Sequence, residues 1–142
     1  MGEKRKKIRR VVLDTNVLIS ALLFEGEVSR LVVQWQMGVF PPVISKATFK
    51  ELETALSYPK FHLSSEEIRM ILTEEILPFF EVVEVKEKIE GVCRDAADDK
   101  FISCALSAGV EVIVTGDKDL MAVKKHRTVR IVSASDFLRM ME

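Results

Sequence analysis

Short apolar runs alternate with segments of helical periodicity along almost the whole chain, and this alternation limits the fold more than any other feature. The runs at 10–13, 43–44, 79–85, 112–115 and 129–132 predict strands. Apolar spacing typical of helices occupies 17–24, 28–37, 47–57, 64–77 and 100–108. Strands that alternate with helices predict an α/β domain with three layers, in which helices flank both faces of a central, mainly parallel sheet. A chain of 142 residues has room for one such domain.

Local signals mark several of the helix ends. Ser64 and Glu67 have the spacing of a capping box, in which each residue satisfies a free backbone N–H group at the start of a helix. Gly38 and Gly109 follow apolar helical segments directly, as expected where a helix ends in the left-handed conformation. These signals predict the start of one helix and the ends of two others.

Charge is spread unevenly although the totals nearly cancel, with 21 basic and 22 acidic residues. The first ten residues hold six of the bases and one acid, so the rest of the chain is acidic. We expect a mobile basic segment at 1–10 and a domain at 11–142. The near-neutral total excludes a protein that binds nucleic acid over its whole surface.

The expected location is the cytoplasm, without a membrane anchor. The longest apolar stretches are far shorter than the roughly 20 residues of a membrane-spanning helix. Cys93 and Cys104 lack the spacing of a metal finger, and we expect both to be reduced thiols.

Acidic residues gather where predicted strands end and helices begin. Six of the seven aspartates fall in three short clusters, and Glu51 lies on the third predicted helix; the aspartates are Asp14, then Asp95, Asp98 and Asp99, then Asp117 and Asp119. Each acid alone could have a structural role, as a helix cap, a turn residue or an exposed helix residue. Because ligands of open parallel sheets bind beyond the carboxyl ends of the strands, we expect the clusters to converge there.

Converging carboxylates need protons or cations. At an effective dielectric near 20, two carboxylates about 4 Å apart repel each other by about 4 kcal/mol. An all-oxygen set of ligands favours Mg²⁺ or Mn²⁺, and the lack of His and Cys in the clusters argues against zinc and copper. An acidic site with such ions is suited to the hydrolysis of a phosphodiester bond.

The acidic motifs resemble those of a known family. In order and spacing, four segments resemble the motifs of the PIN-domain nucleases: Val11-Val12-Leu13-Asp14-Thr15-Asn16, Glu51-Leu52, Asp95-Ala96-Ala97-Asp98-Asp99, and Val114-Thr115-Gly116-Asp117-Lys118-Asp119-Leu120. The resemblance extends over residues 11 to about 138 and is greatest to the subgroup described as toxin components of toxin–antitoxin systems.

This resemblance implies a metal-dependent endoribonuclease that uses Mg²⁺ or Mn²⁺ to cut single-stranded RNA. It implies four catalytic acids, Asp14, Glu51, Asp99 and Asp117, of which Asp14, Asp99 and Asp117 bind the metal. Supporting roles fall to Asn16, Thr115, Asp98 and Asp119. Relatives often have a proline after the first aspartate of the third motif, whereas this chain has Ala96, so the choice between Asp98 and Asp99 stays open.

The expected partners are an RNA substrate, a cognate antitoxin and a second copy of the chain. A dimer is suggested by the family and by apolar residues on two predicted helices, including Trp35, Met37, Met70 and Ile71, although ordinary core packing explains these residues better.

Other enzymes and modules with an aspartate after the first strand fit less well. An aspartyl phosphatase needs a second aspartate where Asn16 stands, residues 53–94 lack the phosphoacceptor of a receiver module, and no glycine-rich dinucleotide motif is present. The alternative that stays open is a PIN fold with weak catalysis that serves as an RNA-binding or protein-interaction module.

Overall fold

The computed structural model describes residues 10–141. The predicted basic segment lies outside this range apart from Arg10, so the predicted domain boundary stays a prediction. The Arg10 guanidinium group donates to the Glu81 carboxylate at 2.8 Å and to the Ala108 carbonyl oxygen. Arg10 is therefore held against the sheet.

Within the described residues the chain forms one six-stranded sheet. Its strands are β1 (Val11–Leu13), β2 (Pro42–Ser45), β3 (Glu81–Val83), β4 (Val112–Val114), β5 (Lys125–His126) and β6 (Val129–Val132). The spatial order is β3-β2-β1-β4-β6-β5, and all neighbours are parallel except β5, which pairs antiparallel with β6 at one edge. The predicted mainly parallel sheet is confirmed.

Seven α-helices connect or follow these strands in the described part of the chain. They are α1 (Thr15–Leu23), α2 (Arg30–Gln36), α3 (Lys46–Leu56), α4 (Ser65–Met70), α5 (Asp99–Ala108), α6 (Lys118–Met121) and α7 (Ala134–Met140). None of the helices between residues 10 and 141 is long and apolar enough to cross a membrane.

Side-chain caps begin most of these helices. The Ser64 hydroxyl accepts from the Glu67 N–H group and the Glu67 carboxylate accepts from the Ser64 N–H group, which is the predicted capping box. Ser45 caps α3 in the same reciprocal manner. Helix α5 ends at Gly109, whose φ of 70° lies in the left-handed region that glycine adopts without strain.

Two elements differ from the sequence prediction. The helix expected up to residue 77 changes after Met70 to π-type hydrogen bonding over Ile71–Ile76. The edge strand β5 has two residues, too few for an alternating pattern to be recognised.

Alternate residues of the strands point into two separate cores. Val11 and Leu13 belong to one buried cluster together with Leu52 of α3, whereas Val12 belongs to the other together with Ile102 of α5. Helices α3 and α5 therefore cover opposite faces of the sheet. The predicted three-layer arrangement is confirmed.

Leu52→Ala tests the packing of α3 on the sheet. The Leu52 side chain is fully buried, so its truncation leaves a cavity and should lower the free energy of unfolding by about 2–5 kcal/mol. Urea denaturation measures the change. Leu77, which is 44% exposed, provides a matched control: Leu77→Ala should cost much less, and equal losses for both variants would contradict this packing.

Candidate active site

The carboxyl ends of β1 and β4 meet at the centre of one sheet edge. These strands are parallel neighbours, and the Asp14 N–H group donates to the Val114 carbonyl oxygen at 3.0 Å. The chain leaves β1 for β2 on one side and reaches β4 on the other, so the strand order reverses between β1 and β4. Such a reversal opens a crevice in which α/β proteins bind ligands.

Asp14 lies buried at this crevice. One carboxylate oxygen accepts from the Val17 N–H group at 2.9 Å and caps α1, and the other accepts from the Thr115 hydroxyl. Burial raises the pKa of Asp14 to about 6, against the effect of these hydrogen bonds and with smaller contributions from the charges of Asp117 and Glu51. Asp14 is therefore rigidly held but costly to ionise.

Thr115 joins the two strand ends. Its hydroxyl donates to Asp14 and accepts from the Asp117 N–H group at 2.9 Å, and the residue is fully buried. Asp117 begins α6, where its carboxylate accepts from the N–H groups of Asp119 at 2.8 Å and Leu120 at 3.1 Å. One threonine thus positions both Asp14 and Asp117.

Asp98 and Asp99 are adjacent but face different surroundings. The buried Asp99 carboxylate accepts from the N–H groups of Gly91 at 2.9 Å and Cys93 at 2.7 Å. Burial opposes ionisation, but these hydrogen bonds outweigh it and lower the pKa of Asp99. Asp99 thus anchors the segment before α5, and both of its carboxylate oxygens are bonded to backbone N–H groups of that segment.

Asp98, by contrast, is surrounded by negative charge. Burial, followed by repulsion from Asp117, Asp95 and Asp14, raises the pKa of Asp98 to about 7. Its Oδ2 atom is buried and has no hydrogen-bond partner among residues 10–141. Of the two aspartates between which the sequence left the choice open, Asp98 is therefore the one surrounded by the other motif acids.

Two further aspartates, Asp95 and Asp119, lie close to Asp98. One carboxylate oxygen from each of Asp95, Asp98 and Asp119 lies within 4.8 Å of the others. Asp119 is also 3.9 Å from the exposed guanidinium group of Arg94. Asp98 thus lies close to two pairs of aspartates, Asp14 with Asp117 and Asp95 with Asp119, and these five residues form the acidic cluster.

Glu51 approaches from α3 with both carboxylate oxygens bonded within the chain. The Thr15 hydroxyl donates to Oε2 at 2.7 Å, and the Lys100 ammonium group pairs with Oε1. Because α3 and α5 cover opposite faces of the sheet, this ion pair joins the two layers beyond the strand ends. Thr15 and Lys100 were not predicted as site residues, since neither carries a signal that links it to Glu51 in sequence.

Comparison with known proteins shows the family to which the chain belongs. The family model described as "PIN domain" matches residues 10–119. The chain belongs to the PIN domain family. An uncharacterized protein of Methanocaldococcus jannaschii, MJ1680, is 33% identical over 129 residues, which cover 86% of this chain and 80% of that protein.

Solved structures share the fold of this PIN domain at low sequence identity. FitAcB from Neisseria gonorrhoeae is 17% identical with a TM-score of 0.61, and the match covers 88% of this chain and 98% of that one. The PIN domain endonuclease Utp24 is 20% identical with a TM-score of 0.54, and the match covers 87% and 84% of the two chains. The predicted PIN-like fold is confirmed.

Asn16, the remaining predicted site residue, lies at the rim of the crevice between the ends of β1 and β4. Its side chain is exposed and lines a cavity of about 350 Å³ together with Thr115 and Ser133. Asn16 therefore lies beside the acids without being buried among them.

The acidic cluster fits a divalent cation. Its donors are carboxylate oxygens, which suit Mg²⁺ or Mn²⁺, and the buried Asp98 Oδ2 atom has no partner in the described part of the chain. Such an atom lowers stability unless it is protonated or bound to a cation.

Asp98→Asn should make the metal-free protein more stable at neutral pH. Because the pKa of Asp98 is raised in the folded state, its ionisation is unfavourable to folding. The destabilisation that this one residue causes is absent below its pKa in the unfolded chain, near 4, and grows until the pH reaches about 7. Removal of the charge should raise the thermal midpoint at pH 7.5 by about 3 °C and flatten its dependence on pH. Asp136→Asn, outside the cluster, is the control, and a lower midpoint for Asp98→Asn would contradict this electrostatic picture.

Thr115→Val should destabilise the protein although it preserves side-chain shape. The valine leaves an Asp14 carboxylate oxygen and the Asp117 N–H group without their partner, at an expected cost of about 1–3 kcal/mol in the free energy of unfolding. Urea denaturation of Thr115→Val and of Thr115→Ser, which keeps the hydroxyl, measures this cost. A serine variant as unstable as the valine variant would show that the methyl group, and not the hydrogen bonds, matters.

Proposed function

We propose that this PIN domain is a metal-dependent endoribonuclease that hydrolyses single-stranded RNA. The observation that carries the proposal is the buried Oδ2 atom of Asp98, which has no hydrogen-bond partner among residues 10–141, in a residue close to the charges of Asp117 and Asp14. Membership of the PIN family and the fold shared with an endonuclease support the same activity.

The residues proposed to hold Mg²⁺ or Mn²⁺ are Asp14, Asp98 and Asp117, with Asp95 and Asp119 beside them. When bound, such an ion supplies an activated water and neutralises the charge of the phosphate and the leaving oxygen. Without it, the carboxylates repel the RNA backbone. Metal dependence is therefore part of the proposal.

The chain itself keeps the acids in position. The Val17 N–H group and the Thr115 hydroxyl hold Asp14, while N–H groups at the start of α6 hold one oxygen of Asp117 and leave its other oxygen for the crevice. Glu51 is proposed to complete the cleft and to hold the Lys100 ammonium group beside it. Asp99 fixes the preceding segment and so positions Asp98.

We infer further that the protein acts as the toxin of a toxin–antitoxin pair. The support is the resemblance of the motifs to those of toxin components, together with the fold that this chain shares with FitAcB. A second copy is a further proposed partner. Of the residues that suggested a dimer, Trp35 is buried against Phe80, whereas Met37 and Met70 are 73% and 47% exposed.

Calorimetric titration with Mn²⁺, followed by cleavage assays on short single-stranded RNA, tests the nuclease. Wild type should bind Mn²⁺ and cut RNA, and a chelator should abolish cleavage. Asp14→Asn and Asp98→Asn should each lose Mn²⁺ binding and lower the cleavage rate at least 100-fold, since each removes a charged ligand from a small set. Asp136→Asn should match wild type.

The outcomes separate the alternatives. If wild type binds no Mn²⁺ at millimolar concentration but still binds RNA or a protein partner, the chain is an interaction module and the nuclease proposal is wrong. If Asp99→Asn loses Mn²⁺ binding at unchanged thermal stability while Asp98→Asn keeps it, the sequence-based choice of Asp99 is restored.

A further inference from the structure

A cavity of about 590 Å³ lies next to the acidic cluster, between α3, α5 and the segment that precedes α5. Its walls include the apolar side chains of Ala47, Val85 and Ile89, and Lys88 and Lys100 line it as well. This volume is within the range of sites that bind small ligands, and such sites combine apolar walls with a few polar groups.

Side chains of α5 hold the outer wall of the cavity in place. The Ser103 hydroxyl accepts from the Ile89 N–H group at 2.8 Å, and the Asp99 carboxylate accepts from the Gly91 N–H group at 2.9 Å. Both accepting residues are buried. The cavity is therefore formed before any ligand arrives, which lowers the entropic cost of binding.

The cavity and the acidic cluster share a border. Lys100 lines the cavity and pairs with Glu51 of the site, and Ala96, another lining residue, lies between Asp95 and Asp98 in the chain. A strand of RNA with one phosphate at the acids therefore has its neighbouring nucleotide within reach of the cavity.

Two ammonium groups at the cavity can donate hydrogen bonds to a phosphodiester. An ammonium group has three donors, and the structure pairs Lys100 with one acceptor residue between residues 10 and 141, Glu51. Lys88 is exposed and forms no ion pair with any described residue. Glu90 and Asp99 also line the cavity, so its lining carries no net charge, and Lys88 is the lysine there that has no acidic partner among the described residues.

We propose that this cavity binds the nucleotide next to the scissile phosphate, with its base against Ala47, Val85 and Ile89 and its phosphate at Lys88 and Lys100. The inference rests on the proposed function, since the substrate is RNA in both. It adds a binding site for one nucleotide, and hence a place where base preference is determined, because the acidic cluster itself contacts only phosphate.

Binding of a fluorescein-labelled oligouridylate with phosphorothioate linkages, which hydrolyse slowly, tests this site by fluorescence anisotropy with Mn²⁺ present. Lys88→Met and Lys100→Met should each reduce the slope of log affinity against log salt by about 0.7, the value for one phosphate contact on a single strand. Lys100→Arg should retain the slope. Lys60→Met is the matched control and should not change the slope, since Lys60 follows α3, lies over the Phe61 ring and does not line the cavity.

The base contact has its own test. Ala47→Leu places extra methyl groups at the cavity wall and should weaken oligouridylate binding by about tenfold. It should leave binding of an abasic ribose-phosphate oligomer unchanged, because that probe has no base to displace. Mn²⁺ binding by Ala47→Leu and Lys88→Met, measured by calorimetry, should equal that of wild type.

The results distinguish a failure of this inference from a failure of the proposed nuclease. Unchanged salt slopes, or equal losses for the two probes with Ala47→Leu, would overturn the nucleotide site and assign the cavity to another ligand, such as a segment of a protein partner. If wild type neither binds Mn²⁺ nor cuts RNA but the slopes still change, the nucleotide site is retained and the nuclease is rejected.

Discussion

Repulsion between carboxylates at one edge of the sheet is the constraint on which this structure depends. Donors from the chain compensate most of the acids there: a helix N-terminus and a threonine hydroxyl for Asp14, backbone N–H groups for Asp117, and an ammonium group for Glu51. Asp98 is the exception, since its buried Oδ2 atom has no partner among the described residues. Among the described residues, the chain thus supplies donors to most of the acids but none to the Oδ2 atom of Asp98, which is left for a cation or a proton.

The parallel sheet makes this compensation possible. Each parallel strand ends at the same edge at which the next helix begins, so acids and free N–H groups come together at that edge. Asp14 directly follows β1 and caps α1. Asp117 lies shortly after β4 and caps α6. A carboxylate that caps a helix is immobilised by the backbone, and a metal site built from such caps needs few other residues to keep its geometry.

Sequence patterns revealed those parts of the fold that depend on neighbours in the chain. Ser64 with Glu67, and Gly109 after an apolar helix, mark helix ends through contacts over three or four residues. The bonds of Glu51 to Thr15 and Lys100 join elements 36 and 49 residues apart, and no local pattern predicts them. The π-type hydrogen bonding over Ile71–Ile76 likewise cannot be recognised from the spacing of apolar residues.

The choice between Asp98 and Asp99 shows why a motif alone cannot settle a site. Successive residues of a helix point in directions about 100° apart, so two adjacent aspartates have different surroundings. The N–H groups of Gly91 and Cys93 stabilise the charged carboxylate of one of them, Asp99. Asp98 is then directed towards the other acids. The same contact fixes the segment that lines the neighbouring cavity, so one pair of adjacent acids determines the geometry of both.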